Sequence, residues 1–489
     1  MSEGAPEDNP QSVAHPGVAS RTRRQQQGDP WGFVVRAMAY ETLVVLVTAV
    51  SVAALFFLSS LLLFTGQLQD VYLRLRGPAP VTHEVALLTV GPEALYLYNP
   101  DDPDPETTPR ALLAELVHFL DEAGASVVVL DFLLDRPTED DPLLAAAAAE
   151  HGAVLAAERF TVTEPASGRV FTPGIPPTLE AAMGSGFANF QEEGNTLFGS
   201  ASLVRRLPLV QITDHAHLAG TWPHNLVGSK QDIDQRTPSL SLAAAWLHRQ
   251  RQSGAAISTT EPLLAQLAAD CPAPPAACAL DADALGLPAL PLALDEPLDI
   301  NFRGPEGGDG LVTLDAARVL RVLAQAAIVR ELTGAETLEV PADIRARIEG
   351  RVVVVGRVGG EHAERDRFAT PYSLPLPDRA DMSGPRIHAH VIDTLLSGRH
   401  IRHRGGWLAW ALALGAIAAV VGTYPRLSDT RHGLIWLTVA AGLLVGGFVV
   451  FRFTDGLVFD LGPAVTACVV AVVLLHLRGW VREQAGLPR

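Results

Sequence analysis

Residues 126–158 read SVVVLDFLLDRPTEDDPLLAAAAAEHGAVLAAE, and this stretch decides the fold. The continuous run SVVVLDFLL is typical of a strand that is buried on both faces. The following DDP predicts the start of a helix with a proline in its first turn, and the run AVLAAERF predicts another strand. A strand, a helix and a strand in this order indicate a parallel pair joined by a right-handed connection.

The segments on either side extend this pattern into an α/β domain. HEVALLTV (83–90) predicts a strand, and TTPRALLAELVHFLDEAGA (107–125) predicts a helix that Thr108 caps and Gly124 ends. The later segments predict further elements: strands at SLVRRLPLV (202–210) and RVVVVG (351–356), and helices at SLSLAAAWLHRQ (239–250, capped by Ser239 or Ser241), LDAARVLRVL (314–323) and PRIHAHVIDTLLS (385–397). We therefore predict an α/β extracytoplasmic domain with a mixed, partly parallel sheet.

Four apolar runs flank this domain and are long enough to cross a membrane. They cover residues 42–64, 406–424, 433–451 and 456–477. Arginines before the first run, between the second and third, and after the fourth favour a cytoplasmic location for those segments. Arg399, Arg402, Arg404 and Arg452 depart from this pattern, but long exported domains override such local charge. The prediction is a four-helix transmembrane region, with one N-terminal and three C-terminal spans, in the inner (plasma) membrane with both termini in the cytoplasm.

This topology divides the chain into a cytoplasmic tail (1–40), an exported domain (66–400) and a second cytoplasmic tail (478–489). The whole chain has a net charge of −17, and most of the acidic excess lies in the exported segment. An acidic domain lacks the basic face that binding to phosphates requires, so nucleic acid is excluded as a partner. The lipid bilayer is the partner that the apolar runs predict.

Residues 252–296 are rich in Ala, Pro and Asp and predict a loosely structured, low-complexity insertion in the exported domain. Cys271 and Cys278 lie within it, in DCPAPPAACAL. An oxidising compartment would allow a disulfide between them, whereas the prolines would equally hold them apart. Both alternatives are open at this level.

Several segments, taken in order, resemble one family of sensory domains. The matching segments are DVYLRLRGP (70–78), AGASVVVLDFLLDRP (123–137), DDPLLAAA (140–147), GFANF (186–190), SLVRRLPLV, INFRGP (300–305), IEGRVVVVGRV (348–358), ATPYS (369–373) and SGPRIHAHVIDTLLSG (383–398). They resemble the extracellular CHASE type 2 domains that accompany bacterial cyclases and histidine kinases. The resemblance covers nearly the whole exported segment and implies the same layout of one span before the domain and about three after it.

The resemblance implies a sensory receptor that detects an unknown extracytoplasmic ligand. Receptors of this kind usually continue into a cytoplasmic output domain, whereas only RGWVREQAGLPR follows the fourth run. We therefore expect the signal to pass to a separate effector, such as a kinase or cyclase. The alternative is a scaffold of the cell envelope that does not switch. The sequence predicts no enzyme, no catalytic residue, no metal site and no cofactor.

Three residues are candidates for ligand binding. Asp131 and Asp135 follow a predicted strand at its carboxyl end, where α/β sheets place their ligands. Arg357 lies in the GRVGG turn after another strand, which could hold an anion. The simpler interpretation is that the aspartates cap the next helix and solvate a loop, and that GRVGG is only a turn.

Four further residues are candidates for signal coupling. The predicted closing helix contains His388 and stops at Gly398, and only seven residues, RHIRHRG, separate it from the second apolar run. Ala411 and Gly415 lie four residues apart in that run, a spacing that lets helices pack closely within one chain or across a homodimer. A ligand that moves the closing helix should then move the span as well.

Overall fold

A computed structural model describes most of the exported domain and part of the C-terminal region. The described residues are 65–404 and 429–459, with gaps at 103, 159–160, 165–168, 172–174, 195–201, 214–234, 256–258, 271–284, 289–296, 334–338 and 374–381, together with 411, 414–416, 418–419, 422, 461, 464–465, 468 and 472–473. The chain divides into two compact units, one of Leu62–Ala409 with Leu443–Gly462 and one of Met1–Leu61, Trp410–Gly442 and Pro463–Arg489.

Most of the helices and strands lie in the first of these units. The strands are β1 Val85–Val90, β2 Val127–Leu133, β3 Val154–Glu158, β4 Thr161–Glu164, β5 Arg169–Phe171, β6 Gly184–Phe187, β7 Gln191–Gly194, β8 Ser202–Leu207, β9 Val210–Thr213, β10 Gln235–Pro238, β11 Leu298–Asp299, β12 Val312–Asp315, β13 Val352–Arg357, β14 Arg367–Phe368, β15 Met382–Ser383, β16 Arg402–Arg404 and β17 Leu457–Phe459. The helices are α1 Thr65–Arg76, α2 Pro92–Tyr98, α3 Arg110–Glu122, α4 Asp141–His151, α5 Pro177–Glu180, α6 Leu240–Gln252, α7 Glu261–Asp270, α8 Ala316–Thr333, α9 Ala342–Ile348, α10 Gly384–Ser397 and α11 Asp429–Thr454.

A six-stranded parallel sheet forms the centre of the domain. Its strand order is β12-β1-β13-β2-β3-β6, and every neighbouring pair in it is parallel. Antiparallel pairing occurs in the smaller sheets, such as β7 with β8 and β9 with β10. The predicted α/β fold with partly parallel pairing is therefore confirmed, and the strand between β1 and β2 comes from far along the chain.

Helices cover both faces of this sheet. Alternate strand residues point to opposite faces, so that Val129 and Val354 join one hydrophobic core and Val128 and Val353 join the other. Helices α6 and α10 pack in the first core, and α3, α4, α8 and α9 pack in the second. Burial on both faces is the physical reason that β2 and β13 are continuous valine-rich runs.

Local details correct the predicted start of α3 and the predicted insertion, and they decide between the two caps predicted for α6. Thr108 does not cap α3, because that helix begins one residue later than predicted, with Pro109 at the N-cap position and no side-chain cap. Ser239, rather than Ser241, caps α6 by accepting a hydrogen bond from the amide of Leu242. The short helix α2 was not predicted, and α7 lies inside the segment predicted to be loosely structured. The residues Cys271 and Cys278 lie outside the described part of the chain.

Helix α10 is buried at every position from Gly384 to Leu396. It ends at Gly398, which adopts the left-handed conformation with φ of 65°, as the sequence predicts. At its other end Pro385 packs on Gly356 of β13 so closely that a Cβ atom there would lie 2.1 Å from the proline Cγ. With 14 residues, the helix is about 20 Å long and spans the sheet from one strand end to the other.

Helix α11 contains the segment Gly433–Thr454, which is apolar and long enough to cross a membrane. It is the only such helix among the described residues, and the other three predicted spans lie wholly or largely outside them. After α11 the chain turns at Asp455 and Gly456 into β17, which pairs in parallel with β16. This short pair joins the segment after α10 to the segment after α11.

Candidate functional site

The first candidate site is a largely buried group of polar side chains, Asp131, His388 and Asp366, at the carboxyl ends of the central strands, and we call it the crevice. Asp131 lies there on β2, opposite Gly356 of β13. Its side chain is 10% exposed, and its Oδ2 atom makes no hydrogen bond. Burial raises the pKa of Asp131 well above the ordinary carboxyl value, and the charge of Asp366 raises it further. The crevice therefore favours the protonated form of this carboxyl group.

His388 faces Asp131 from the first turns of α10. Its Nε2 atom lies 4.0 Å from Asp131 Oδ1, too far for a hydrogen bond. Its Nδ1 atom lies 2.9 Å from the hydroxyl of Ser241 on α6, and the ring of Phe190 packs with its centroid 4.6 Å away. Burial lowers the pKa of His388 to about 3, and an interaction with the Ala188 backbone partly opposes this shift. The imidazole is therefore neutral, and its Nε2 atom is buried without a hydrogen bond.

Asp366 occupies the start of α10. A Cβ atom on Gly384 would lie 2.5 Å from the Asp366 carboxylate, so glycine lets that carboxylate approach the helix start closely. The free amides and the dipole at a helix start favour a negative charge there. The crevice thus combines one carboxylate at a helix start, one carboxyl group that is readily protonated and one neutral imidazole. Such a group of donors and acceptors suits a small polar ligand or water.

The other two predicted ligand-binding residues differ in position. Arg357 ends β13 at the same edge as Asp131, and its guanidinium forms an ion pair with Asp104 and donates a 2.6 Å hydrogen bond to the carbonyl of Pro105. Asp135 is exposed on the loop after β2 and does not enter the crevice. No three His, Cys, Asp or Glu side chains in the described part of the chain are arranged to hold a metal ion.

Replacing Asp131 with Asn should make the protein more stable than the wild type, by an amount that grows as the pH rises. The folded-state pKa of Asp131 lies above its unfolded value, so the wild type loses stability as pH rises through the folded-state pKa. The variant lacks this titration. We expect its advantage in unfolding free energy to grow by more than about 1 kcal/mol between about pH 4.5 and about pH 8. Unfolding curves across that range, with Asp135→Asn as the exposed control, measure the difference, and a constant advantage would contradict the assignment.

The second candidate site lies at the other end of α10 and centres on Arg303. The side chains of Arg303 and Asp393 are both fully buried, and Arg303 Nε donates to Asp393 Oδ2 at 2.8 Å. The amide and hydroxyl of Thr82, just before β1, both donate to Asp393 Oδ1 at 2.8 Å. The Arg303 guanidinium also donates to the hydroxyl of Ser397 at 3.3 Å. This ion pair therefore joins the last turns of α10 to the start of the sheet.

Arg76 extends the same site to the end of α1. Its guanidinium donates to Asn301 Oδ1 at 2.7 Å and to the carbonyl of Phe302. The side-chain amide of Asn301 in turn donates to the carbonyl of Arg399 at 2.6 Å. Asn301 thus connects α1 with the first residue after the C-cap of α10.

Asp309 completes the site along α10. It accepts a 2.6 Å hydrogen bond from Arg386 and lies 3.1 Å from His390 Nε2. Burial raises the pKa of Asp309, but the interactions with His390 and Arg386 outweigh burial and lower it overall. His390 Nδ1 is 3.4 Å from the amide nitrogen of Arg303. We call the connected residues the arginine network: Arg76, Asn301, Arg303, Asp309, Arg386, His390 and Asp393.

The arginine network was not predicted from the sequence. Its members come from DVYLRLRGP, from INFRGP and the turn after it, and from SGPRIHAHVIDTLLSG, which lie far apart along the chain. One feature of the sequence could have indicated it, namely a charged residue such as Asp393 within the apolar face of a helix. A charge in that position requires a buried partner. No spacing rule identifies that partner.

Ala411 and Gly415, predicted to pack closely, are both exposed among the described residues. A Cβ atom on Gly415 would contact none of the described residues, and the close packing of this run, within the chain or across a homodimer, stays a prediction. A glycine that does permit close approach is Gly447 of α11, where a Cβ atom would lie 2.5 Å from the Tyr72 hydroxyl. The helix that approaches it is α1.

The family of the chain follows from residues 45–425, which match the family model described as CHASE2 domain. This is well over half of the 489 residues. The chain belongs to the CHASE2 family. CHASE2 domains are extracellular sensory domains, so the resemblance predicted from the motifs is confirmed. No curated protein and no solved structure matches the chain.

Both polar sites include residues of α10: the crevice lies at its first turns, and the arginine network extends along it from Arg386 to Asp393. His388 belongs to the crevice, and Asp393 belongs to the arginine network. Helix α10 therefore contributes side chains to both sites, and it leads towards the second apolar run.

Proposed function

We propose that this CHASE2 protein is a bacterial inner-membrane receptor with four spans, whose exported domain detects a small polar ligand in the crevice. In this proposal both termini are cytoplasmic, and the signal passes through the spans to a separate effector such as a kinase or cyclase. The observation that carries the proposal is the position of α10. It is buried along its length, it contributes His388 to the crevice, and it ends seven residues before the second apolar run.

The shape of α10 makes it a suitable carrier of a signal. A packed helix moves as a rigid rod, because its backbone hydrogen bonds resist bending and its neighbours resist local distortion. A ligand that bridges Asp131 Oδ2 and His388 Nε2 would supply hydrogen bonds that these two atoms lack, and this would pull the start of α10 towards β2. The far end of the helix would then shift at the segment before the second span.

Reporter fusions test the membrane arrangement on which the proposal depends. Fusions at about residue 30, about residue 428 and after Arg482 should be active only with a cytoplasmic reporter, because arginines concentrate in these segments. Fusions near residues 260 and 455 should be active only with an exported reporter. An exported result at residue 428 would reduce the predicted spans from four to two, and a cytoplasmic result at residue 260 would end the receptor proposal.

A further inference from the structure

The turn between α11 and β17 places a carboxylate among three arginines. Asp455 Oδ1 lies 3.2 Å from Arg76 Nη1, and its Oδ2 lies 3.0 Å from Arg303 Nη1 and 3.2 Å from Arg399 Nη1. The Asp455 side chain is 25% exposed, whereas the side chains of Arg76 and Arg303 are fully buried. A contact between a carboxylate and buried guanidiniums is stronger than the same contact on a surface, because little water screens it.

The backbone of this turn is built to hold that carboxylate in place. Asp455 adopts φ of 50°, a left-handed conformation that is uncommon for a residue with a side chain. A Cβ atom on Gly456 would lie 2.9 Å from the carbonyl oxygen of His400, so only glycine allows the chain to pass there. The Arg402 amide donates to the Gly456 carbonyl at 2.8 Å, and Asn301 donates to the Asp455 carbonyl at 3.0 Å.

The arginine network needs this carboxylate as a counter-charge. Asp393 neutralises Arg303, but in the described part of the chain Asp455 is the only carboxylate within ion-pair distance of Arg76. A buried guanidinium without a counter-charge is costly, so the network is complete only when the turn after α11 is docked. The turn is therefore part of the network rather than a neighbour of it.

Helices α1 and α11 also contact each other directly beside this turn. The Tyr72 hydroxyl donates to the carbonyl of Leu444 at 3.0 Å, and its ring lies 5.8 Å from the ring of Phe448 and 5.6 Å from that of Phe451. Gly447 has no side chain, and this leaves room for the Tyr72 hydroxyl to approach α11. Movement of the turn would therefore displace α1 as well as β16.

We infer that Asp455 is a coupling residue, which ties the closing helix of the sensory domain to each segment that leads into a predicted span. Arg76 follows the first apolar run, Arg399 precedes the second, and Asp455 itself lies between the third and the fourth. A shift of α10 reaches Asp455 through Arg303 and Arg399, in addition to the covalent linker after Gly398. The inference deepens the proposed function and rests on it only for its signalling role.

Hydrogen exchange of the full-length protein in lipid nanodiscs tests the inference without a ligand or an effector. The perturbation is Gly356→Ala, which pushes on Pro385 at the opposite end of α10. In the wild-type background we expect this change to speed amide exchange in β16 and β17 at least about tenfold. In an Asp455→Asn background the same change should have an effect at least about threefold smaller, because the ionic connection is lost.

Two further variants serve as a control and as a second test of the same connection. Asp343→Asn removes a carboxylate from an exposed ion pair with Arg318 and should leave the response of β16 and β17 unchanged. Arg399→Ala removes one contact to Asp455 without leaving a buried charge, so it should reduce the response partly even if Asp455→Asn does not fold. An equal response in the wild-type, Asp455→Asn and Arg399→Ala backgrounds would overturn the inference. The reporter fusions decide the receptor proposal separately, because exchange does not depend on membrane orientation.

Discussion

Replacing Asp393 with Asn is expected to lower the free energy of unfolding by about 3–5 kcal/mol, the largest effect that we predict. The change leaves Arg303 fully buried without its nearest counter-charge, and it weakens the two hydrogen bonds that Thr82 donates. Water cannot solvate the buried guanidinium, and the remaining contact with the partly exposed Asp455 offsets its desolvation only in part. Denaturant unfolding of the purified full-length protein in detergent micelles, followed by tryptophan fluorescence, measures the loss.

The matched control is Asp343→Asn, which also replaces a carboxylate with an amide, but in an exposed ion pair with Arg318. Exposed ion pairs contribute about 1 kcal/mol or less, since water screens both charges and already solvates them. A loss at Asp393 no larger than at Asp343 would show that Arg303 finds another partner or reaches water. The arginine network would then not stabilise the junction between α10 and the sheet.

The second large effect is expected from Gly356→Ala, which should cost about 3 kcal/mol. The new Cβ atom would lie 2.1 Å from Pro385 Cγ and 2.5 Å from Pro385 Cβ, far inside van der Waals contact. Neither partner yields easily, because Gly356 lies within β13 and Pro385 lies in the rigid first turn of α10. The same unfolding measurement, together with exchange in α10, should show a displaced helix.

Gly91→Ala provides the control for this substitution. Gly91 has φ of −93° and ψ of 175°, and an added Cβ atom would lie 3.5 Å from the Val358 carbonyl oxygen, which is ordinary contact. We expect its effect to stay within about 0.5 kcal/mol. Combining Gly356→Ala with Pro385→Ala removes Cγ and should restore part of the lost stability. Equal losses for Gly91→Ala and Gly356→Ala would contradict steric overlap as the cause.

The sequence predicted the local elements well wherever burial alone decides them. The runs SVVVLDFLL and RVVVVG are strands because each is apolar on both faces, and a segment of that kind is stable only inside a covered sheet. The closing helix was predicted with its end at Gly398, since a left-handed C-cap requires glycine. The predicted start of α3 was wrong by one residue, because Pro109 rather than Thr108 occupies its N-cap position.

The candidate sites were predicted only in part. Asp131 and Arg357 were placed at the correct strand ends, because the carboxyl edge of a parallel sheet follows from strand order and direction. Asp135 was grouped with them by its position in the chain, but the strand has ended by that residue and the side chain is exposed. Asp366 was not predicted, because it approaches Asp131 from a turn more than two hundred residues away.

By itself, the sequence determined that this chain has an α/β domain of the CHASE2 family and at least one helix of membrane-spanning length. Local properties suffice for these conclusions, since hydrophobic periodicity, helix caps and motifs act over a few residues. Only the tertiary structure decided that β13 lies between β1 and β2 and that Arg303 pairs with Asp393 and Asp455. Such pairings depend on which distant segments share one buried space, because a buried charge is neutralised by proximity in the fold and not by spacing along the chain.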